Sequence, residues 1–269
     1  MPIVPIEDIG DSRLQWYHNV THTNLTAQSG RMIAEGWRVV DRLIDSPFQL
    51  ESILLSERRA ETFAEKYASH TNVFVVPQKQ AEQLVGYNFH AGVLACGLRQ
   101  PIPEQNELES QFASHGFWLF LDHLVRPDNL GTIIRLAAGF GVTGILLGPG
   151  TADPFSRRVI RVSMGHVFRV PLYEVTNPKE LFLLAQSKDV QLTAAELSGQ
   201  SLPLAKAKRT AKQLLVLGNE AEGLSAEVLS QMNEIVHIPM HPDVDSLNVA
   251  QACGIMLYHY LQLAVPDYS

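Results

Sequence analysis

Cysteine is nearly missing from this chain: 269 residues hold two, Cys96 and Cys253, each in an apolar setting. Two isolated thiols cannot form the disulfide framework of a small secreted domain, and they are too few for a thiolate metal centre, so both are expected buried and reduced, with no metal bound. Long apolar runs are missing too. No stretch of about 18 or more uncharged apolar residues occurs, so no membrane-spanning helix is expected. The opening Met1-Pro2-Ile3-Val4-Pro5-Ile6-Glu7-Asp8 lacks the basic-then-apolar order of a secretory signal, and a cytoplasmic location is the expectation. Positive charge is scarce: 21 Lys and Arg face 28 Asp and Glu, a formal net charge of −7. That excludes a protein whose whole surface is a nucleic-acid footprint, because Lys and Arg make the phosphate contacts.

What is present is an ordinary globular composition, 46% hydrophobic and 18% charged, enough to bury the core of one large or two small domains. The cations that exist are clustered. Arg157, Arg158, Arg161 and Arg169 lie between Pro154 and Val170 with no acidic residue among them, and Arg126 and Arg135 stand upstream. A solvated helical face explains most charge runs. Four arginines without a lysine favour the planar guanidinium fork that grips phosphate in pairs of hydrogen bonds, so Arg126, Arg157, Arg158 and Arg161 are candidate phosphate contacts.

The polar, acidic, Pro-containing stretch from Gln100 to Gln111 reads as a linker. It divides the chain into an amino-terminal extension (1–20, a frayed tail or a short packed helix), a small α/β domain (21–99), the linker (100–113) and a larger domain (114–269). In the small domain, apolar runs at 52–55, 72–76 and 92–96 read as strands between helices at 37–44, 60–68 and 78–85. In the larger one, strands are expected at 117–121, 144–147, 166–170, 190–194, 213–217 and 235–238. Helices are expected at 129–140, 155–162, 178–187, 226–233 and 247–263. Strands that are apolar on both faces and alternate with helices imply an α/β fold with a mostly parallel sheet flanked by helices.

Gly139-Phe140-Gly141-Val142-Thr143-Gly144 has the spacing of a dinucleotide-binding loop, but in the wrong place. Such a loop leaves a strand and opens a helix; these glycines end a helix and enter a strand. Helix capping explains them better, and a nicotinamide-dependent oxidoreductase is a remote alternative.

Three ordered segments carry the chemistry: Leu121-Asp122-His123-Leu124-Val125-Arg126-Pro127-Asp128-Asn129-Leu130-Gly131 with Arg135; Leu217-Gly218-Asn219-Glu220-Ala221-Glu222-Gly223; and Ile238-Pro239-Met240 with Ser246-Leu247-Asn248. The glycines of the second permit close backbone approach and positive φ, and Ser246 suits a helix N-cap. Together they resemble the three motifs of the SpoU class of SPOUT RNA methyltransferases. The resemblance covers about residues 114–265, and residues 31–40 resemble the opening of the ribosomal-protein-like RNA-binding domain that often precedes that catalytic domain.

The resemblance implies transfer of a methyl group from S-adenosylmethionine to a ribose 2′-hydroxyl of tRNA or rRNA by a homodimer, with the catalytic domain tied in a trefoil knot. It assigns catalysis to Asn129, Arg135, Glu220, Ser246 and Asn248, with Arg135 at the centre and Glu220 as its ion-pair partner. Leu217, Gly218, Ile238 and Leu247 would line the cofactor site. Two positions depart from the family pattern: Arg126 precedes Pro127 where the family has Asp, and His123 replaces a small or variable residue. Either departure is compatible with an RNA-binding relative that no longer catalyses, which is the alternative reading.

Overall fold

The computed structural model describes residues 1–20, 28–219, 222–241, 243 and 246–261. In chain order the strands are β1 (Ile3–Pro5), β2 (Arg31–Glu35), β3 (Leu50–Ser56), β4 (Asn72–Val76), β5 (Val93–Leu98), β6 (Gly116–Leu121), β7 (Gly144–Leu147), β8 (Leu172–Glu174), β9 (Gln191–Ala195), β10 (Leu202–Pro203), β11 (Lys212–Leu217) and β12 (Glu234–His237). The helices are α1 (Trp37–Ile44), α2 (Glu57–Ala68), α3 (Gln78–Val85), α4 (Leu108–Gln111), α5 (Pro127–Phe140), α6 (Arg157–Val162), α7 (Pro178–Ser187), α8 (Ala226–Leu229) and α9 (Val249–Leu261). They form two compact units, Met1–Pro101 with Asp153–Arg169, and Ile102–Ala152 with Val170–Ser269. The continuous domain expected over 114–269 is therefore interrupted, because the segment carrying α6 clusters with the amino-terminal residues.

The first unit is built on a five-stranded sheet in the order β1-β4-β3-β5-β2. β4 runs parallel to β1 and β3, and β5 antiparallel to β3 and β2. Ile33, Leu54, Phe74 and Leu94 fill its core. The amino-terminal residues belong to that core: β1 extends the sheet, and the 3-10 turn Ser12–Tyr17 buries Leu14 and Tyr17 completely. The Tyr17 hydroxyl shares a hydrogen bond of 2.8 Å with Ser52 Oγ. Within the same unit, Ser156 caps α6 by accepting the Val159 N–H, and Arg42 donates to the Met164 carbonyl. That contact ties the inserted segment to α1.

The second unit holds a seven-stranded sheet, β10-β12-β9-β11-β6-β7-β8, whose paired strands are all parallel. β6 and β11 sit at its centre, and Leu121 and Leu217 are register partners, so the two strands end together. Three local expectations are corrected. The presumed linker carries Leu108 and Phe112, both fully buried, with the Phe112 ring edge-on to Trp118 at 5.0 Å; acidic neighbours on the exposed side disguise that anchor in the sequence. The expected strand at 166–170 is a 3-10 turn, His166–Phe168, because Gly165 enters the left-handed region (φ 79°) and its carbonyl accepts the Phe168 N–H. The strand is β8, which begins just after Pro171. The helix expected at 226–233 stops at Leu229, and the Asn233 side chain instead accepts the Leu192 N–H at 2.8 Å, joining β9.

α5 ends where Gly141 adopts φ 69° and returns its N–H to the Ala137 carbonyl, so these glycines cap a helix. α9 packs on α5, and a Cβ on Gly254 would lie 3.4 Å from the Leu136 side chain. No helix among the described residues is long and apolar enough to cross a membrane.

Candidate active site

A parallel sheet releases its chain at the carboxyl ends of the strands, and ligands gather outside that edge because the loops there converge. Here the ends of four adjacent strands, β12, β9, β11 and β6, frame a cleft of about 520 Å3. The four expected cofactor positions all line it: Leu217 and Gly218 after β11, and Ile238 and Leu247 on the segment from β12 to α9. Arg126, Ser246 and Asn248 line it too.

The loop after β11 is held by its own backbone. Asn219 and Gly223 exchange two hydrogen bonds, 3.1 and 3.2 Å, in an isolated bridge. Gly218 is compressed against the far arm: a Cβ there would lie 2.6 Å from the Gly223 carbonyl, so only glycine fits. Gly223 itself has φ 68°. The Asn219 amide nitrogen donates to the His123 carbonyl at 3.0 Å, fastening this loop to the one that follows β6. Glu220, expected in catalysis, lies outside the described residues.

The first and third motifs meet through their asparagines. Asn129 is buried on the first turns of α5, and its Oδ1 accepts from Asn248 Nδ2 at 3.0 Å. Asn248 Oδ1 in turn accepts the Ala250 N–H at 2.9 Å, and its carbonyl accepts the Ala252 N–H. Asn248 is thus the helix cap that the sequence assigned to Ser246. The reason is that α9 begins at Val249, which leaves Ser246 exposed in the cleft wall, two residues before the cap. Arg135, two turns along α5 from Asn129, is exposed and does not line the cleft.

The arginine cluster is divided. α6 belongs to the first unit, not to the unit that contains the cleft. Arg157, expected on phosphate, is instead paired with Glu35 at 3.0 Å, with its guanidinium over the Tyr87 ring at 4.7 Å and its side chain only 19% exposed. Burial rewarded that pairing, because a half-covered guanidinium needs a partner. Arg158 and Arg161 are exposed on the same short helix. His123 pairs with Asp122 at 2.7 Å and lines a second cleft of about 470 Å3 that shares Asn219, Glu222 and Gly223 with the first.

Residues 116–258 match the SpoU rRNA Methylase family. The chain belongs to that family. With it, the chain is an RNA methyltransferase that uses S-adenosylmethionine. An uncharacterized tRNA/rRNA methyltransferase of Mycobacterium bovis is 32% identical over 93% of this chain and 89% of its own length. The 23S rRNA (guanosine(2553)-2′-O)-methyltransferase of Bacillus subtilis is 26% identical over 86% of this chain and 89% of its own. Among solved structures, the AdoMet-bound rRNA methyltransferase of Sinorhizobium meliloti superposes with a TM-score of 0.81 at 26% identity, covering 96% of this chain and 97% of that one.

One acidic residue of the SpoU cleft escaped the motif-based reading. Glu196 follows β9 directly and lines the cleft. The signal available was positional: a carboxylate just past the carboxyl end of an apolar strand, Leu192–Ala194, that pairs with β11.

Proposed function

We propose that this chain methylates a ribose 2′-hydroxyl in rRNA or tRNA, working in the cytoplasm as a homodimer. The Asn129–Asn248 hydrogen bond carries the reading, since it joins two motifs separated by more than a hundred residues at the rim of one cleft. Its volume, about 520 Å3, lies within the range of small-molecule sites. Its walls suit the cofactor: Leu217, Ile238 and Leu247 offer apolar surface to an adenine ring, and Gly218, which has no side chain, lines the same wall. The cofactor supplies the methyl group on a sulfonium.

The protein's part is to place the ribose oxygen in line and to deal with its proton. A guanidinium stays protonated, so Arg135 is better suited to holding an RNA phosphate and polarising the 2′-hydroxyl than to acting as the base itself. Its exposure on α5 leaves it reachable by RNA. Arg126, in the cleft wall, and Arg158 and Arg161 on α6 are further phosphate contacts. The homodimer reading is supported by Ile255 and Tyr258, which stand 43% and 71% exposed one turn apart on α9 beside α5 and offer an apolar and an aromatic surface to a second copy.

The test is methyl transfer from labelled S-adenosylmethionine to RNA from cells lacking this protein, followed by digestion to nucleosides. A labelled 2′-O-methylnucleoside is expected. Label on a base, or none despite cofactor binding, overturns the reading; the second result is that of an RNA-binding relative without catalysis.

A further inference from the structure

Glu196 brings a carboxylate into the cleft that none of the three motifs supplies. Its backbone N–H donates to the Val236 carbonyl at 3.0 Å, and its Oε2 accepts the Leu224 N–H at 3.1 Å. The backbone of Glu196 is therefore held by β12 and its carboxylate by the loop after β11. That carboxylate also presses on Gly223, where a Cβ would lie 2.6 Å from Oε2 and 3.3 Å from Oε1. Among the described residues, Oε1 accepts no hydrogen bond. A carboxylate in a cleft wall with one oxygen held by the backbone keeps the acceptor sites of its other oxygen for a ligand.

The sheet order says which donor. β9 and β6 flank β11, so Glu196 and Arg126 enter the cleft from strands about 10 Å apart, with Leu217 and Gly218 between them. The middle strand presents an apolar wall that suits adenine, and the ribose is the adenine's immediate neighbour in the cofactor. Vicinal hydroxyls are paired donors that match one carboxylate, the same chemistry by which an acidic residue holds a ribose in dinucleotide folds.

We propose that Glu196 is a cofactor-binding residue whose carboxylate accepts the ribose hydroxyls of S-adenosylmethionine. This rests on the assignment of the cleft to the cofactor. It is tested by calorimetric titration of the whole protein with S-adenosylhomocysteine and with its 2′,3′-dideoxyribose analogue.

The wild type should prefer the hydroxylated ligand by about 10- to 100-fold, the value of hydrogen bonds to a charged acceptor. Glu196→Ala should reduce the preference to less than about threefold, with Glu196→Gln in between, since a neutral acceptor binds more weakly. Gln still accepts the Leu224 N–H, so an unchanged melting temperature for that variant keeps the comparison interpretable. If the variants weaken both ligands equally and the preference survives, Glu196 only supports the loop and the proposal is overturned. It is equally overturned if the variants lose discrimination against a ligand lacking the amino group while keeping the preference for hydroxyls. Failure of the underlying assignment looks different: the wild type would then bind neither ligand.

Discussion

The arginines half-buried in the first unit and those beside the cleft of the second are in opposite situations. In the first, the partly buried cations are neutralised locally: Arg31 forks onto Glu51 at 2.6 and 3.0 Å while lying over Trp16, Arg99 pairs with Asp153 at 2.9 Å, and Arg157 pairs with Glu35. In the second, Arg126 and Arg135 stand exposed and have no ion-pair partner among the described residues. An internal ion pair consumes the hydrogen-bonding capacity of a guanidinium, whereas an exposed one keeps its fork for phosphate. Proximity in sequence is therefore a poor guide to shared work. Arg157 and Arg158 are neighbours with different environments, while Asn129 and Asn248 are far apart and bonded to each other.

The contrast can be broken most severely at Arg135. Arg135→Ala should lower single-turnover methyl transfer by at least about 100-fold, as loss of one preorganised charge at a reacting centre does, with S-adenosylhomocysteine affinity unchanged by calorimetry. Retained turnover would remove Arg135 from the chemistry. Next is Gly218→Ala, whose methyl would meet the Gly223 carbonyl at 2.6 Å. The loop must shift, and cofactor affinity should fall by about tenfold or more, a cost typical of backbone strain at a binding loop.

A smaller effect separates the neighbours on α6. The double variant Arg158→Ala, Arg161→Ala should weaken RNA binding and flatten its salt dependence by about two phosphate contacts. Arg157→Ala should do the reverse, costing about 1–3 kcal/mol of stability by leaving Glu35 half-buried and unpaired, while the salt slope of RNA binding stays within error. Equal effects from all three positions would erase the distinction. Smallest of all is the response of the thiols. Burial pushes Cys96 and Cys253 up to about 12, so at pH 8 both should stay protonated and resist thiol reagents until the protein unfolds.

Much of the scaffold was readable because burial on both faces leaves unbroken apolar runs. β6, β7 and β11 lie where such runs predict them, and α1, α3 and α7 have the expected bounds. Reading failed where a few residues decide the outcome. Val167 and Phe168 look like a strand but sit behind a left-handed glycine, and Leu108 and Phe112 are core residues inside an acidic stretch. That Asp153–Arg169 clusters with the first unit was invisible, because its ties are long-range: Arg99 to Asp153, Glu35 to Arg157 and Asp45 to Arg169.

The site was legible for a different reason: its three segments resemble the ordered motifs of a family. That resemblance alone picks out Asn129 and Asn248, whereas a turn glycine such as Gly218 also declares itself by the close backbone approach it permits. Glu196 was not legible, because a lone strand-end carboxylate has no pattern until the strands beside it are known.

The central claim is that three distant segments close one cleft around the cofactor. A crystal structure with S-adenosylhomocysteine tests it most directly. The adenine should lie between Leu217-Gly218 and Ile238–Leu247, with the homocysteine sulfur facing a path open to Arg135. Density in the second cleft beside His123, or an adenine that touches none of those four residues, would contradict it.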